Sequence, residues 1–228
     1  MPIKAVLFDL DNTLTDFIKM KREASRAAAR AMVACGLAMP PEEAERELFK
    51  TYWEHGIDSN TAFREFLKKH TGKVDESVLG CAIGAYLKVK AQHLVTYPNI
   101  VETLERLKAR GMRLGVVTDA PREKALQRLH ALGVERLFDT VIAFEETNRH
   151  KPHELPFKKA CEKLGVVPAE VLMVGDSPER DILGAQRLGM RTALAKYGED
   201  AEVKWRTPEG IRADYEIKDP LELLRIVA

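Results

Sequence analysis

The chain has 228 residues, with 36 Lys and Arg against 35 Asp and Glu for a formal charge of +1, and 45% of its residues are hydrophobic. At roughly 150 residues per domain this is one large domain or one domain with an insertion, long enough to bury a sizeable core. The balanced charge excludes a protein whose main work is binding nucleic acid or an acidic lipid surface, and the mixture of apolar and charged residues excludes disorder and a membrane span.

Taken in chain order, the first element is a β-rich apolar run at 3–8, broken at Asp9. No small-residue cleavage signal follows it, so no signal peptide is read. From 17 to about 95 the pattern is helical throughout, with helices at 18–34, 41–55, 60–70 and 75–93 punctuated by Gly36, Pro40, Gly56 and Gly72. Pro98 precedes a helix at 100–109 that Gly111 closes. A strand at 114–117, a helix at 122–132 closed by Gly133, a strand at 141–144 and a helix at 155–164 closed by Gly165 come next. They are followed by a strand at 171–174, a helix at 179–188 and a fifth strand at 191–194. A polar stretch at 199–212, a segment at 214–217 and a helix at 221–227 complete the chain.

Short apolar runs that end abruptly in polar residues read as buried parallel strands, and the glycines as helix C-caps. The alternation predicts an α/β fold, a Rossmann-like doubly wound parallel sheet with right-handed crossovers. Its first two strands are about a hundred residues apart where a crossover needs about a dozen, so a helical domain is inserted between them. The expected division is a core of 1–16 and 97–228 and a cap domain of 17–96, hinged near Asp16 and Tyr97. Lys19, Lys21, Arg22, Arg26 and Arg30 on the first inserted helix face only Glu23 and read as a solvated face, an anion-attracting patch being the alternative. Cys35, Cys81 and Cys161 are odd in number and widely spaced, and are expected to be small buried hydrophobes of a reducing, cytoplasmic compartment, not disulfide or zinc partners.

Ligands of a doubly wound sheet collect beyond the carboxyl ends of its strands. Here those ends carry Asp9, Asp11 and Thr13 after the first strand, Thr118 and Asp119 after the second, Lys151 after the third, and Asp176, Ser177 and Asp181 after the fourth. Each alone has a structural reading as a turn, a cap or a solvated loop residue; their joint occurrence in order at strand ends points to a site. Asp9 and Asp11, two apart on an extended segment, leave on the same face. Their mutual repulsion is relieved by a divalent cation, and an all-oxygen donor set beside a phosphate favours Mg²⁺.

In these motifs, Asp9-x-Asp11-x-Thr13, Thr118, Lys151 and Gly175-Asp176-Ser177 with Asp181, the chain resembles the magnesium-dependent phosphatases of the haloacid dehalogenase superfamily. The helical insert after the first motif resembles the class-one cap of that family. The resemblance implies that the Asp9 side chain, the Asp11 carbonyl and the Asp176 side chain bind Mg²⁺, with Asp181 orienting a ligand water or the lysine. It implies Asp9 as nucleophile and Asp11 as the acid that then turns base. Thr118, Lys151 and the backbone N–H groups of Leu10, Asp11 and Asp119 hold the phosphoryl oxygens. The expected substrate is a small-molecule phosphate ester, and the expected state a monomer or small homo-oligomer with no nucleic-acid or membrane partner. Phe17, Lys19, Lys21, Arg22, His55 and Asn60 are candidates for substrate choice, and Asp16 for a substrate or hinge contact. The competing activities are a phosphomutase on the same core, a dehalogenase, against which the carboxylate at Asp11 argues, and a non-catalytic binding module.

Overall fold

Residues 1–198 and 210–227 are described by the computed structural model, so the polar stretch at 199–212 lies outside the described residues up to position 209. The chain divides into two compact units, Met1–Asp16 with Val95–Ala228, and Phe17–Leu94.

The first unit is built on strands β1 (Ala5–Phe8), β2 (Arg113–Val117), β3 (Thr140–Ile142), β4 (Val171–Gly175), β5 (Arg191–Ala195) and β6 (Tyr215–Ile217). They form one sheet in the order β3-β2-β1-β4-β5-β6, every pair parallel. The strands are buried on both faces, and the pleat sorts their side chains. Val6, Phe8, Leu114, Val116, Leu172 and Val174 face one apolar cluster, whereas Ala5, Leu7, Val117, Val171 and Met173 face the other. The order reverses beside β1, where β2 leaves on one side and β4 on the other. That is the switch point at which an open α/β sheet binds its ligands.

The second unit is four helices, α1 (Phe17–Ala34), α2 (Pro41–His55), α3 (Ala62–Thr71) and α4 (Glu76–His93). Ala28, Met32, Leu48, Phe66, Leu67 and Leu79 meet in its core. Asp75 starts α4 by accepting from the N–H groups of Ser77 and Val78 at 2.9 and 3.2 Å, a carboxylate N-cap at the positive end of the helix.

In the first unit the sheet is covered by α5 (Ile100–Ala109), α6 (Arg122–Ala131), α7 (Glu154–Leu164), α8 (Leu183–Gln186) and α9 (Leu223–Ile226). Gly133 and Gly165, at φ 71° and 62°, follow α6 and α7 in the left-handed region that glycine adopts without penalty.

Three sequence expectations are corrected. Cys35 and Cys81 form a disulfide with Cα atoms 6.6 Å apart, leaving Cys161 as the free, buried thiol; α4 returns beside the end of α1 and brings together cysteines that their spacing of 46 residues had separated. The third strand is 140–142 and not 141–144, because the chain turns into a 3₁₀ segment at Phe144–Glu146. The helix expected at 179–188 is a π turn, Pro178–Ile182, followed by the short α8. No helix among the described residues is long and apolar enough to cross a membrane.

Closing a loop of this length removes chain entropy from the unfolded state worth about 4 kcal/mol. Reductant, or the Cys81→Ser substitution, is therefore expected to lower the melting temperature. An unchanged melt would show that the bridge does not contribute to stability.

Candidate functional site

Three strand ends and two loops of the first unit meet at the switch point. Asp9 directly follows β1, Thr118 follows β2 and Asp176 follows β4. Lys151 sits in the turn ahead of α7, and Asp181 in the π turn after β4. A lysine beside a proline reads in sequence as a solvated loop residue, yet Lys151 is only 4% exposed. Its ammonium donates to Asp9 Oδ1 at 2.5 Å, to Asp181 Oδ1 at 2.6 Å and to the Val117 carbonyl at 3.0 Å. All three of its N–H bonds are thereby used.

Glycines at 175 and 198 make room for this packing. A Cβ on Gly175 would lie 2.3 Å from Asp181 Oδ2, and one on Gly198 would lie 1.7 Å from the Asn12 carbonyl oxygen. Asp181 Oδ2 in turn accepts from the Ser177 N–H at 3.1 Å. Beside Gly198, the Tyr197 hydroxyl donates to the Thr13 carbonyl at 3.1 Å, so the segment after β5 braces the loop after β1.

The remaining predicted residues have these placements. Thr118 Oγ1 accepts from the Ala120 N–H at 3.1 Å. Asp119 Oδ1 accepts from the Lys151 backbone N–H at 2.8 Å and thus fixes the lysine loop; its Oδ2 lies 3.5 Å from Arg180. Leu10 buries its side chain in the first apolar cluster. Asp11 Oδ2 accepts from Arg128 Nη1 at 2.6 Å.

Arg128, Arg180, Tyr197 and Gly198 were not picked out by the motif reading. Arg128 had a legible signal, since it occupies the stripe of Ala125 and Leu129 that α6 buries, where a cation needs a partner. The others depend on close approaches that residue spacing does not encode. In the helical unit Lys21 is not on a solvated face as read: it is 4% exposed, with its ammonium 3.6 Å from the Tyr52 ring centroid and 3.1 Å from the Tyr86 hydroxyl. Arg26 and Arg30 pair with Glu45 of α2, an acidic partner outside their own helix.

Oxygens of Asp9, Asp176 and Asp181 all lie within 4.8 Å of one another. Asp176 is fully buried, and neither of its carboxylate oxygens has a hydrogen-bond partner among the described residues. Leaving such a group without a partner is costly. Burial pushes Asp9 up to about 7, with Lys151 opposing the shift and Asp181 adding to it. Burial, then Asp9 and Asp181, raises Asp176 well above the ordinary carboxylate range. For Lys151, burial works against the ammonium, but Asp181 and Asp9 outweigh it and hold the proton on. A hard, all-oxygen cluster with more carboxylate than ammonium and an unsatisfied buried carboxylate fits a divalent cation such as Mg²⁺.

The family model described as haloacid dehalogenase-like hydrolase matches residues 6–195. The chain is 36% identical over 227 residues to a glyceraldehyde 3-phosphate phosphatase of Methanopyrus kandleri, covering 99% of this chain and 97% of that one. It is 33% identical to a phosphoglycolate phosphatase of Pasteurella multocida, covering 86% of each. Among solved structures, a HAD phosphatase from Thermococcus onnurineus superposes with a TM-score of 0.69 at 28% identity, covering 99% of this chain and 98% of that one.

The raised carboxylates link stability to pH. Without a cation, the folded chain holds a proton on Asp9 between its ordinary value of 3.8 and about 7 that the unfolded chain has lost, so stability falls as pH rises through that window. A cation that binds the ionised carboxylates reverses this. Thermal melts with EDTA or MgCl₂ at about pH 5.5 and about pH 8 should show a larger Mg²⁺-induced rise at the higher pH. Equal shifts at both, or none, would refute the assignment of these carboxylates to a cation.

Proposed function

The chain belongs to the haloacid dehalogenase-like hydrolase family, and from that premise we propose that it is a Mg²⁺-dependent phosphomonoesterase acting on a small phosphorylated metabolite through an aspartyl-phosphate on Asp9. The observation that carries the proposal is the pairing of Asp9 with a buried ammonium beside Asp176, neither of whose oxygens has a hydrogen-bond partner among the described residues.

Mg²⁺, held by Asp9, the Asp11 carbonyl and Asp176, would supply positive charge against the phosphoryl oxygens. The rest of the reaction is derived from the chain's own groups. Lys151 fixes Asp9 by Oδ1 and favours its ionised, nucleophilic form. Asp9 attacks phosphorus in line, and a bond to phosphorus forms as the ester oxygen leaves; Asp11 gives that oxygen its proton. In the second step water attacks the aspartyl-phosphate, Asp11 takes the water's proton, the bond to Asp9 breaks and inorganic phosphate departs. Thr118 Oγ1 uses a lone pair on the Ala120 N–H, so its hydrogen is what it offers to a phosphoryl oxygen. The backbone N–H groups of Leu10, Asp11 and Asp119 complete the proposed set of donors, and Asp181 acts through Lys151, whose ammonium it shares with Asp9.

Relatives named for glyceraldehyde 3-phosphate and phosphoglycolate support a short-chain phosphoester with an aldehyde or carboxylate as the substrate class. A cytoplasmic setting is part of the proposal. It makes the Cys35–Cys81 bridge a bond of the kind that intracellular proteins of hyperthermophiles carry.

Phosphate release from 4-nitrophenyl phosphate and from a panel of metabolite phosphates is expected with Mg²⁺ and is abolished by EDTA. Asp9→Asn should lower kcat by at least about 1000-fold. Metal-independent turnover, or an Asp9→Asn variant as active as the parent, would sink the mechanism. Transfer of the phosphoryl group within a sugar phosphate, without release, would make the chain a mutase.

A further inference from the structure

The outer edge of β3 borders a cleft. The strand is only three residues long and pairs with β2 alone. α6 packs on one face of the sheet and α7 on the other, Leu129 lying in the first apolar cluster and Leu164 in the second. Beyond the strand they leave a space of about 650 Å³, walled by Leu126 of α6, Thr140 and Val141 of β3 and Lys163 of α7. Clefts that take small molecules have this size, and they join an apolar floor to a few polar groups that fix orientation. Here the floor is Phe138 and Val141, which pack on the first cluster and stay partly exposed. Phe138 is fixed in place, its ring edge-on to the buried Phe8 with 6.2 Å between centroids.

The polar groups of the lining leave a surplus of positive charge. Its two acids are already engaged. Asp139 accepts from Lys108 Nζ at 2.7 Å and from the Leu114 N–H at 2.8 Å, and Glu135 Oε2 lies 3.3 Å from His130 Nδ1. Arg122 is likewise held, by Glu146. Arg136 and Lys163 differ, because both are exposed and neither has an ion pair or hydrogen bond among the described residues. Lysines nearby on α7 do not share this state, since Lys158 and Lys159 pair with Glu154 and Glu162.

Thr140 adds a donor at the base of the cleft. It is only 8% exposed, and its methyl group is turned inward, 3.1 Å from the place that a Cβ on Gly115 would occupy. The hydroxyl, with no hydrogen-bond partner among the described residues, is not sealed in and is left to the cleft.

We propose that this cleft is a second, non-catalytic binding site, and that it takes a phosphorylated small molecule with an apolar or planar body. The body lies on Phe138 and Val141. The phosphate oxygens accept from Arg136, whose planar fork matches them, from Lys163 as a point charge, and from the Thr140 hydroxyl. β2 separates this edge from β1 and the carboxylate cluster at its end, so the site stands whatever reaction that cluster performs.

The probes are ADP, pyrophosphate and adenosine, titrated calorimetrically at low salt in EDTA. Without a divalent cation the cluster of Asp9, Asp176 and Asp181 holds anions off. The parent is expected to bind one ADP per chain, pyrophosphate more weakly for want of the apolar body, and adenosine at least about 10-fold more weakly for want of charge. Replacing both exposed cations, Arg136→Gln with Lys163→Gln, should weaken ADP by at least about 10-fold, and Thr140→Val by about 5-fold, the scale of lost hydrogen bonds to a charged group and from a hydroxyl. Lys158→Gln removes a cation that Glu154 already holds and should leave ADP binding as in the parent. A folded parent that binds no ADP overturns the inference, as does adenosine bound as tightly as ADP or a double variant with the parent's affinity. An equal loss in Lys158→Gln overturns it too, because it shows attraction to the surface charge at large and not to this cleft.

Discussion

One buried ammonium organises the first unit. Lys151 spends its three N–H bonds on Asp9, Asp181 and the carbonyl of Val117, and so ties the ends of β1 and β2 to the turn after β4. Taking each of these charges out of water costs several kcal/mol, which only close pairing offsets. Even with the Arg180 guanidinium nearby, Lys151 does not offset three buried carboxylates. Asp176, neither of whose oxygens has a hydrogen-bond partner among the described residues, is raised well above the ordinary carboxylate range. The same surplus that makes the cation-free cluster unfavourable makes it a strong oxygen site for a divalent ion, and the proposed phosphoryl chemistry needs positive charge at that place.

The backbone had to be arranged before these side chains could meet. Gly175 allows Asp181 to fold back over the end of β4, so that the π turn of Pro178–Ile182 points a carboxylate at the lysine. Gly198 lets the chain after β5 press on the Asn12 carbonyl, and Tyr197 adds a hydrogen bond to Thr13. Asp119 is part of the same bracing, because it holds the Lys151 backbone. A residue that reads in sequence as a helix cap or a phosphate contact is thus in the structure a support for the lysine.

The strands were legible because parallel, doubly buried strands are nearly continuous apolar runs, and the site because its polar residues end those runs. Asp9, Thr118, Lys151 and Asp176 fall where such a reading puts them. What was not legible is long-range. The Cys35–Cys81 pair depends on how α4 returns along α1, and spacing alone does not carry that. Lys21 looked like one more cation of a solvated helix because the rings of Tyr52 and Tyr86 that cover it arrive from other helices. Arg128 differs, since its place among Ala125 and Leu129 marked it as a buried charge. Its partner, 117 residues away, could not be read.

Asp9 and Asp11 are two residues apart and carry the same functional group, so any difference in their roles must come from their surroundings. Asp9 is buried in a cluster of carboxylates and is held by a point charge that donates in any direction. Burial pushes its carboxyl up to about 7 while the ammonium favours the ionised form. Asp11 is more exposed and is held through one oxygen by a planar donor. Two carboxylates in one short segment thus meet different cations, Lys151 from the loop before α7 and Arg128 from α6. The division of labour proposed for the first motif is written in residues far from it in sequence.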